Sequence, residues 1–310
     1  MKILVTGGAG FIGSHVVDAY LKEGHEVVVI DNLSSGKKEN VNPSAKFYRV
    51  DILDDEVLRW VFVEEKPEIV NHHAAQVSVN YSVDHPDKDA TINILGSINL
   101  IRLSIEYGVK KFIYISSGGA CYGNPVYMPC DENHPINPLS PYGVSKHTVE
   151  HYLYLYHENN GLDYVVLRYP NVFGPRQDPY GEAGVVAIFS ERMWRKKPVV
   201  IYGDGTQERD FVFVEDIARA NILALNDLDT NVPPIFNLGT GKGTSVNEIF
   251  RILAEITGYD QEPIHEPPRP GEVYKIALDA TRAEKILGWK PQYSLEDGLK
   301  ITAEWFKNIG

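Results

Sequence analysis

Seven residues near the start of the chain restrict its fold more than any other part of the sequence. They run from Gly7 to Gly13, read GGAGFIG, and directly follow the apolar run Lys2–Thr6. Glycines spaced in this way, between a β-rich run and a helical pattern, are typical of the first turn of a βαβ unit. The tight turn and the open helix N-terminus of such a unit suit an anionic pyrophosphate.

The second β-rich run supports a dinucleotide site. It ends at Asp31, eighteen residues after Gly13, where a carboxylate accepts hydrogen bonds from a ribose 2′,3′-diol. The same carboxylate repels a 2′-phosphate, so the sequence favours NAD over NADP. Lys37 and Lys38 follow in the loop, and we interpret them as solvated charges.

The first half of the chain alternates β-rich runs with helical patterns. Strands are predicted at Lys2–Thr6, Glu26–Ile30, Lys46–Val50, Glu68–His72, Lys111–Ser116 and Tyr164–Arg168. Helices are predicted at Gly10–Glu23, Asp54–Glu65, Asp89–Tyr107 and Pro141–Asn159. This alternation predicts an α/β fold with a doubly wound parallel sheet of the Rossmann type.

The sequence changes character after Pro170, where Gly, Pro and polar loops become frequent. Helices are predicted there near Glu215, near Ser245 and over Leu295–Asn308. We therefore predict a NAD-binding domain over 1–170 and a smaller substrate-binding lobe over 171–310. The site is expected in the cleft between them, and segments of the lobe are expected to cross back to the first domain.

Composition and charge argue against several other classes of protein. The 310 residues carry a net charge of −12, which disfavours nucleic-acid and anionic-membrane binding. No run approaches the ~18 apolar residues of a membrane span, and the opening segment lacks a signal-peptide pattern. The two cysteines provide neither a disulfide framework nor a zinc site, and adjacent His72 and His73 diverge on a strand end. We expect a cytoplasmic protein without a metal.

A Tyr–Lys pair is the clearest candidate for proton transfer. Tyr142 and Lys146 are four residues apart, so a helix places them on one face. Ser140 and Pro141 precede them as an N-cap and a first-turn proline. An ammonium beside a phenol favours the phenolate, and we expect it to lower the pKa of Tyr142 toward neutrality, as a general base requires.

With these motifs the chain resembles the extended short-chain dehydrogenase/reductases that act on nucleotide sugars. The resemblance covers nearly the whole chain and is greatest to the 4-epimerases of UDP-glucose and UDP-galactose. Its motifs, in chain order, are TGGAGFIGSH, VVVIDNLSSG, VDILD, HHAAQVSV, SSGGACYG, SPYGVSK, LRYPNVFGPR, YGDGTQERDFVFVEDIA and RPGE.

The resemblance implies NAD as the cofactor and assigns residues to it and to the substrate. The cofactor residues it implies are Gly7, Gly10, Phe11, Ile12, Asp31, Asn32, Ser35, Gly36, Asp51, Ile52, Ala74, Ala75, Gln76, Asn93, Tyr142 and Lys146. The substrate residues it implies are Ser117, Asn171, Tyr202, Arg209 and Arg269, the two arginines holding the diphosphate. Tyr142, Lys146 and Ser117 are the implied catalytic residues.

The loop SSGGACYG distinguishes among reactions within the family. The family's dehydratases and decarboxylases carry an acid before their loop Tyr-Gly, and this chain has Gly118, Gly119 and Ala120 there. The resemblance therefore implies interconversion of UDP-glucose and UDP-galactose, by oxidation at C4, rotation of the 4-keto-sugar and reduction on its other face. The family's third catalytic hydroxyl falls on Gly118, so Ser117 is the neighbour expected to replace it.

Three alternatives remain open from the sequence. The chain resembles enzymes of other nucleotide sugars, such as UDP-N-acetylglucosamine or a UDP-uronic acid, and Ile276 stands at the family's pocket gate. A simple dehydrogenase would release NADH, and a regulator would bind NAD without catalysis.

The resemblance also implies a homodimer formed through the predicted helices Asp89–Tyr107 and Pro141–Asn159.

Overall fold

The computed structural model describes residues 1–180, 184–228, 232–268 and 273–309. Within these ranges, no helix combines the length and the apolar character needed to cross a bilayer.

Seven parallel strands form the central sheet. Its order is β11-β6-β5-β4-β1-β2-β3, so the chain starts in the middle and builds outward on both sides. The strands of the described chain are β1 Lys2–Thr6, β2 Glu26–Asp31, β3 Lys46–Arg49, β4 Ile69–His72, β5 Lys111–Ser117, β6 Asp163–Tyr169, β7 Asn171–Phe173, β8 Val200–Tyr202, β9 Glu208–Arg209, β10 Phe211–Phe213, β11 Ile235–Asn237, β12 Thr244–Ser245 and β13 Ile264–Glu266. The predicted doubly wound parallel sheet is confirmed.

Helices cover both faces of the sheet. The α-helices of the described chain are α1 Phe11–Lys22, α2 Asp55–Glu65, α3 Val79–Asp84, α4 Pro86–Ala90, α5 Gly96–Glu106, α6 Gly118–Cys121, α7 Pro141–Asn160, α8 Val185–Trp194, α9 Val214–Leu223, α10 Val246–Thr257 and α11 Leu295–Asn308. Successive side chains of a strand point to opposite faces, so β1 contributes Ile3 and Val5 to one core and Leu4 to the other. Helices α1 and α9 pack on the first face, and α2, α5 and α7 pack on the second.

The segment predicted as one helix over Asp89–Tyr107 is divided, and that prediction is wrong in its detail. Helix α4 ends at Ala90, a π-helical turn follows at Thr91–Leu95, and α5 begins at Gly96. Gly96 packs so closely on Ile52 that a Cβ there would lie 2.6 Å from the Ile52 Cδ1 atom. A π-helical turn shifts the helical register by one residue, and such turns are frequent at functional sites.

Beyond residue 170 the chain forms small two-stranded sheets and a separate apolar core. Strands β7 and β10 pair, as do β9 with β12 and β8 with β13. Strand β11 leaves this region and joins the edge of the central sheet by pairing with β6. The division at residue 170 stays a prediction, and the position of β11 shows how the chain passes between the two regions.

Candidate active site

The glycine-rich turn after β1 fits a dinucleotide pyrophosphate. Gly7 has φ of +68°, and a Cβ on it would lie 2.6 Å from the Ala74 backbone nitrogen. Gly10 is the N-cap of α1, and this residue supplies no side-chain acceptor for the first N–H groups of the helix. A backbone surface that a Cβ would obstruct, at an uncapped helix N-terminus, suits a phosphate group.

Asp31 lies where the sequence places an acceptor for a ribose. Its Oδ2 accepts a hydrogen bond from the Ala9 backbone nitrogen at 3.0 Å, and its Oδ1 accepts one from Leu33 at 2.8 Å. Burial raises the pKa of this carboxyl, and the two backbone hydrogen bonds oppose that shift. Each carboxylate oxygen has a further lone pair for a diol donor. Asn32 beside it donates from Nδ2 to Asp51 Oδ2 at 2.9 Å, which joins the ends of β2 and β3.

The remaining adenosine-side residues surround this pair. Ser35 is exposed, Gly36 is close enough to Asp31 that a Cβ would lie 2.9 Å from its carboxylate oxygens, and Ile52 is buried. The structure thus gathers Asp31, Asn32, Gly36, Asp51 and Ile52 beyond the carboxyl ends of β2 and β3. Their role as NAD ligands stays a prediction.

The loop after β4 is fixed by reciprocal hydrogen bonds. The Ala74 nitrogen donates to the Thr6 hydroxyl at 3.0 Å, and His72 Nδ1 lies 2.7 Å from that hydroxyl. Gln76 donates from its backbone nitrogen to Asn93 Oδ1 at 2.8 Å, and Asn93 Nδ2 donates back to the Gln76 carbonyl at 2.9 Å. The π-helical turn therefore carries Asn93 to this loop, as the resemblance implies.

Tyr142, Lys146 and Ser117 come together at the start of α7. Ser140 caps this helix by accepting a hydrogen bond from the Gly143 nitrogen at 3.2 Å, and Pro141 occupies its first turn, which confirms the predicted start. The Ser117 hydroxyl interacts with the Tyr142 hydroxyl. Lys146 Nζ donates to the Ile115 carbonyl at 2.9 Å.

Burial controls the proton affinities of the pair. It lowers the pKa of Lys146 to about 8, against the negative charge of Asp89, which raises it. The Lys146 side chain therefore remains an ammonium at neutral pH. Although part of Tyr142 is exposed, burial raises its pKa, and the Ser117 hydroxyl lowers it only in part. The expectation that the Lys146 ammonium lowers the pKa of Tyr142 toward neutrality is wrong, because its Nζ lies 6.0 Å from the ring centroid while the phenol is desolvated.

Leu278 explains why residue 118 is a glycine. A Cβ on Gly118 would lie 2.4 Å from Leu278 Cδ1 and 3.1 Å from Cδ2. Leu278 is buried, and its backbone nitrogen donates to Asp210 Oδ2 at 3.0 Å, so the side chain has little room to withdraw. The space in which a hydroxyl at position 118 would lie is filled by Leu278, and Ser117 is the hydroxyl beside Tyr142.

Gly118→Ser is expected to destabilise the protein by about 1–3 kcal/mol because the new side chain overpacks against Leu278. Chemical denaturation of the wild type and the variant measures the change in the free energy of unfolding. In the matched double variant Gly118→Ser/Leu278→Ala, the two substitutions should couple favourably, so that their combined cost is smaller than the sum of the single costs. Additive costs would show that Leu278 does not exclude a side chain at residue 118.

The substrate residues predicted from the sequence are placed on the small sheets. Asn171 begins β7, and its Oδ1 would lie 3.8 Å from a Cβ on Gly119, so it adjoins the loop of Ser117. Arg209 ends β9 and donates from Nη1 to the carbonyls of Glu208 at 3.0 Å and Tyr274 at 3.2 Å. Arg269 lies outside the described residues.

Tyr202 lines a cavity of about 810 Å³ beside β8. The cavity has mixed apolar and polar walls and is large enough for a nucleoside. Its lining comprises Tyr202, Gly203, Asp204, Gln207, His265, Glu266, Pro268, Val273 and Tyr274. Tyr274 connects it to Arg209 through the hydrogen bond to its carbonyl. Ile276, expected at the pocket gate, is buried among Tyr122, Cys130 and Leu278, and its role as the gate stays a prediction.

Sequence reasoning missed two buried polar groups beneath the Tyr–Lys pair. Glu150 is eight residues beyond Tyr142 on the same face of α7 and forms an ion pair with Arg168 at 2.5 Å. Asp89 is one helical turn before Asn93 and accepts a hydrogen bond from its amide at 2.9 Å. The helical spacing of each acid from a residue already singled out was the signal that could have found it.

The parallel sheet, the glycine-rich turn and the Tyr142–Lys146 pair define a dinucleotide-dependent enzyme of the short-chain dehydrogenase/reductase class. The chain belongs to the NAD-dependent epimerase/dehydratase family, whose model matches residues 3–239. The family resemblance stated from the sequence is thereby confirmed.

Individual relatives agree over nearly the full length. The chain is 44% identical to UDP-glucose 4-epimerase of Mycolicibacterium smegmatis, covering 99% of both chains. It is similar to the crystal structure of UDP-glucose 4-epimerase with UDP-glucose from Thermotoga maritima, with 55% identity, a TM-score of 0.97 and coverage of 100% and 99%. UDP-glucose 4-epimerase of Thermus thermophilus in complex with NAD gives 44% identity, a TM-score of 0.93 and 99% coverage of each chain.

Proposed function

We propose that this chain interconverts UDP-glucose and UDP-galactose by transient oxidation at C4, rotation of the 4-keto-sugar and reduction on its other face. The observation that carries the proposal is the junction of β5 and α6. Ser117 lies there beside Tyr142, and the next four residues, Gly118–Cys121, bring no carboxylate. Elimination of water needs a proton donor for the leaving hydroxyl, whereas reversible oxidation at C4 needs only one acid–base group.

NAD is the cofactor of this family, which agrees with the prediction from the sequence. The glycine-rich turn of Gly7 and Gly10 would hold its pyrophosphate and Asp31 its adenosine ribose. When bound, NAD supplies a hydride acceptor for C4 and a positive charge on its nicotinamide ring.

Tyr142 is the proposed acid–base group for the 4-hydroxyl. Ser117 donates a hydrogen bond that favours the phenolate, and the ammonium of Lys146 on the same helix face adds positive charge. Tyr142 takes the proton of the 4-hydroxyl as C4 is oxidised and returns it as C4 is reduced. Lys146 keeps its orientation through the Ile115 carbonyl.

The keto-sugar must turn over while its nucleotide stays bound. We propose that the cavity lined by Tyr202 holds the nucleoside and that Arg209 and Arg269 hold the diphosphate. Guanidinium groups bind phosphate oxygens in a bidentate manner, so they anchor the pivot without fixing the sugar. We also assign Asn171, which adjoins the Ser117 loop, to the diphosphate or the uridine.

The direct test is incubation of the purified protein with UDP-glucose, with separation of the UDP-sugars by chromatography. UDP-galactose should accumulate to a constant ratio, and the same ratio should be reached from UDP-galactose. No net NADH should appear at 340 nm, because each oxidation is followed by a reduction. Steady release of NADH would identify a dehydrogenase instead. A parallel panel of UDP-N-acetylglucosamine and UDP-glucuronate tests the alternative nucleotide sugars.

We also propose a homodimer formed through α5 and α7, in a cytoplasmic protein. Helix α7 carries exposed Val144, Tyr154 and Leu155, and Leu95 is exposed just before α5. Apolar and aromatic side chains of this kind are typical of protein interfaces. A monomeric mass in sedimentation equilibrium at micromolar concentration would contradict the dimer.

A further inference from the structure

A buried carboxylate joins three separate parts of the candidate site. Asp89, in α4, has none of its surface exposed and accepts three side-chain hydrogen bonds. Gln76 Nε2 and Asn93 Nδ2 each donate to its Oδ1 at 2.9 Å, and the Ser145 hydroxyl donates to its Oδ2 at 2.6 Å. These three donors come from the loop after β4, the π-helical turn and helix α7.

Through Ser145, the Asp89 carboxylate is hydrogen-bonded to the helical turn that carries the Tyr–Lys pair. Ser145 lies between Tyr142 and Lys146 on α7, so its hydrogen bond to Asp89 sets how that turn of the helix approaches the loop of Gln76. No cation contacts the Asp89 carboxylate in the described part of the chain, and it is held by neutral donors alone. A buried charge held by neutral donors acts over a longer range than a surface charge, and it reaches the Lys146 ammonium.

We propose that Asp89 is a positioning residue of the active site, which fixes α7 against the loop of Gln76 and supplies the negative charge that sets the protonation of the Tyr142–Lys146 pair. The proposal deepens the proposed function, because it concerns the acid–base group of that same reaction. Asp89 itself touches neither the substrate nor the 4-hydroxyl in this assignment.

The electrostatic part of the role has a definite sign. A negative charge disfavours the phenolate and favours the ammonium, and Asp89 accordingly raises the pKa of both Tyr142 and Lys146. The other titratable groups that face the pair are fixed on neighbouring elements. They are Cys121 of α6, Tyr114 of β5, and His72 and His73 at the end of β4.

Asp89→Asn separates the charge from the hydrogen bonds. The asparagine Oδ1 still accepts hydrogen bonds from Gln76 and Asn93. Its Nδ2 can donate to the Ser145 hydroxyl, which then accepts a hydrogen bond where it donates one in the wild type. The variant therefore keeps three hydrogen bonds and loses one negative charge. Asp89→Leu loses both: the Ser145 hydroxyl loses its acceptor, and the amides of Gln76 and Asn93 each keep only one of their two acceptors. Asp87→Asn is the matched control, because Asp87 is exposed on the same helix.

The test measures pH profiles of kcat/KM and the ionisation of Tyr142 in the NAD-loaded protein. The second quantity is the tyrosinate absorbance near 295 nm, taken as the difference between each protein and its Tyr142→Phe counterpart. In Asp89→Asn, both limbs of the pH profile and the tyrosinate transition should move to lower pH, by on the order of half a unit. In Asp87→Asn they should remain where they are in the wild type.

Two outcomes would overturn the proposal. The first is an Asp89→Asn profile that coincides with the wild type, which would remove the electrostatic role. The second is Asp89→Leu with kcat equal to that of Asp89→Asn, since loss of the hydrogen bonds should lower kcat by a further factor of about 10. The tyrosinate transition requires no turnover, so a failure of the proposed epimerase reaction would not affect the interpretation of this experiment.

Discussion

Tyr142→Phe should lower kcat for the interconversion of UDP-glucose and UDP-galactose by about 10²–10⁴-fold, the usual contribution of one general acid–base group. The phenylalanine keeps the ring and removes the hydroxyl beside Ser117. Initial rates at saturating UDP-glucose, with the NAD content of each protein measured in parallel, give the result.

Two controls make the result specific. Tyr154→Phe removes a hydroxyl from an exposed tyrosine of the same helix and should keep the wild-type rate. Ser117→Ala should lower kcat less than Tyr142→Phe does, because Ser117 assists the phenolate and takes no proton itself. A Tyr142→Phe protein with undiminished turnover would contradict the assignment of Tyr142, and with it the mechanism.

Arg168→Met should destabilise the protein by about 3–5 kcal/mol, because it leaves a buried carboxylate without its cation. Glu150 and Arg168 are 3% and 2% exposed, and two hydrogen bonds of 3.0 and 2.5 Å join them. Ser116 also donates to Glu150 at 2.6 Å, and Arg168 donates to the Tyr122 hydroxyl at 2.8 Å. Denaturant unfolding followed by circular dichroism measures the loss.

The surface ion pair of Lys110 and Glu68, at 2.7 Å, supplies the matched control. Lys110→Met should change the free energy of unfolding by less than about 1 kcal/mol, since exposed pairs contribute little. The double variant Arg168→Met/Glu150→Leu should recover much of the loss, because it removes the unpaired charge as well. A loss in Arg168→Met no larger than that in Lys110→Met would contradict the prediction.

Protonation of Glu150 sets the lowest pH at which its ion pair with Arg168 stabilises the folded protein. Burial alone would raise its pKa, but the hydrogen bonds of His147 and Arg168 outweigh burial and lower it to about 2. The folded protein therefore binds this proton less readily than the unfolded chain. The stabilisation is complete above the ordinary pKa of a glutamate, about 4.3, and it is lost as the pH falls from there to about 2.

The central part of the fold was predictable because its signals are local. The first six strands follow apolar runs bounded by turn residues, and α7 has its capping serine and proline in the sequence. Strand β11 was missed because its three residues, Ile235–Asn237, are too few to show an alternation of apolar and polar side chains. Its place beside β6 depends on a long-range pairing. The π-helical turn at Thr91–Leu95 was missed because a one-residue shift of register leaves the apolar pattern nearly unchanged.

The site was predictable where a motif fixes the residue type. Gly7, Asp31, Tyr142 and Lys146 stand at positions that the spacing alone indicates, and the structure places the last two together with Ser117. Asp89 gave only its helical spacing from Asn93, and an aspartate in a helical stretch is ordinary until its burial is known. Leu278 is separated from Gly118 by 160 residues, so their contact could come only from the folded chain.

The contact between Gly118 and Leu278 also couples mutation at the two positions. A serine introduced first at residue 118 meets a filled space, whereas a smaller residue introduced first at position 278 leaves a cavity where Leu278 was buried. Each single change therefore lowers stability, and the two together restore the packing. A hydroxyl at residue 118 is reached only through a less stable intermediate, whichever substitution comes first.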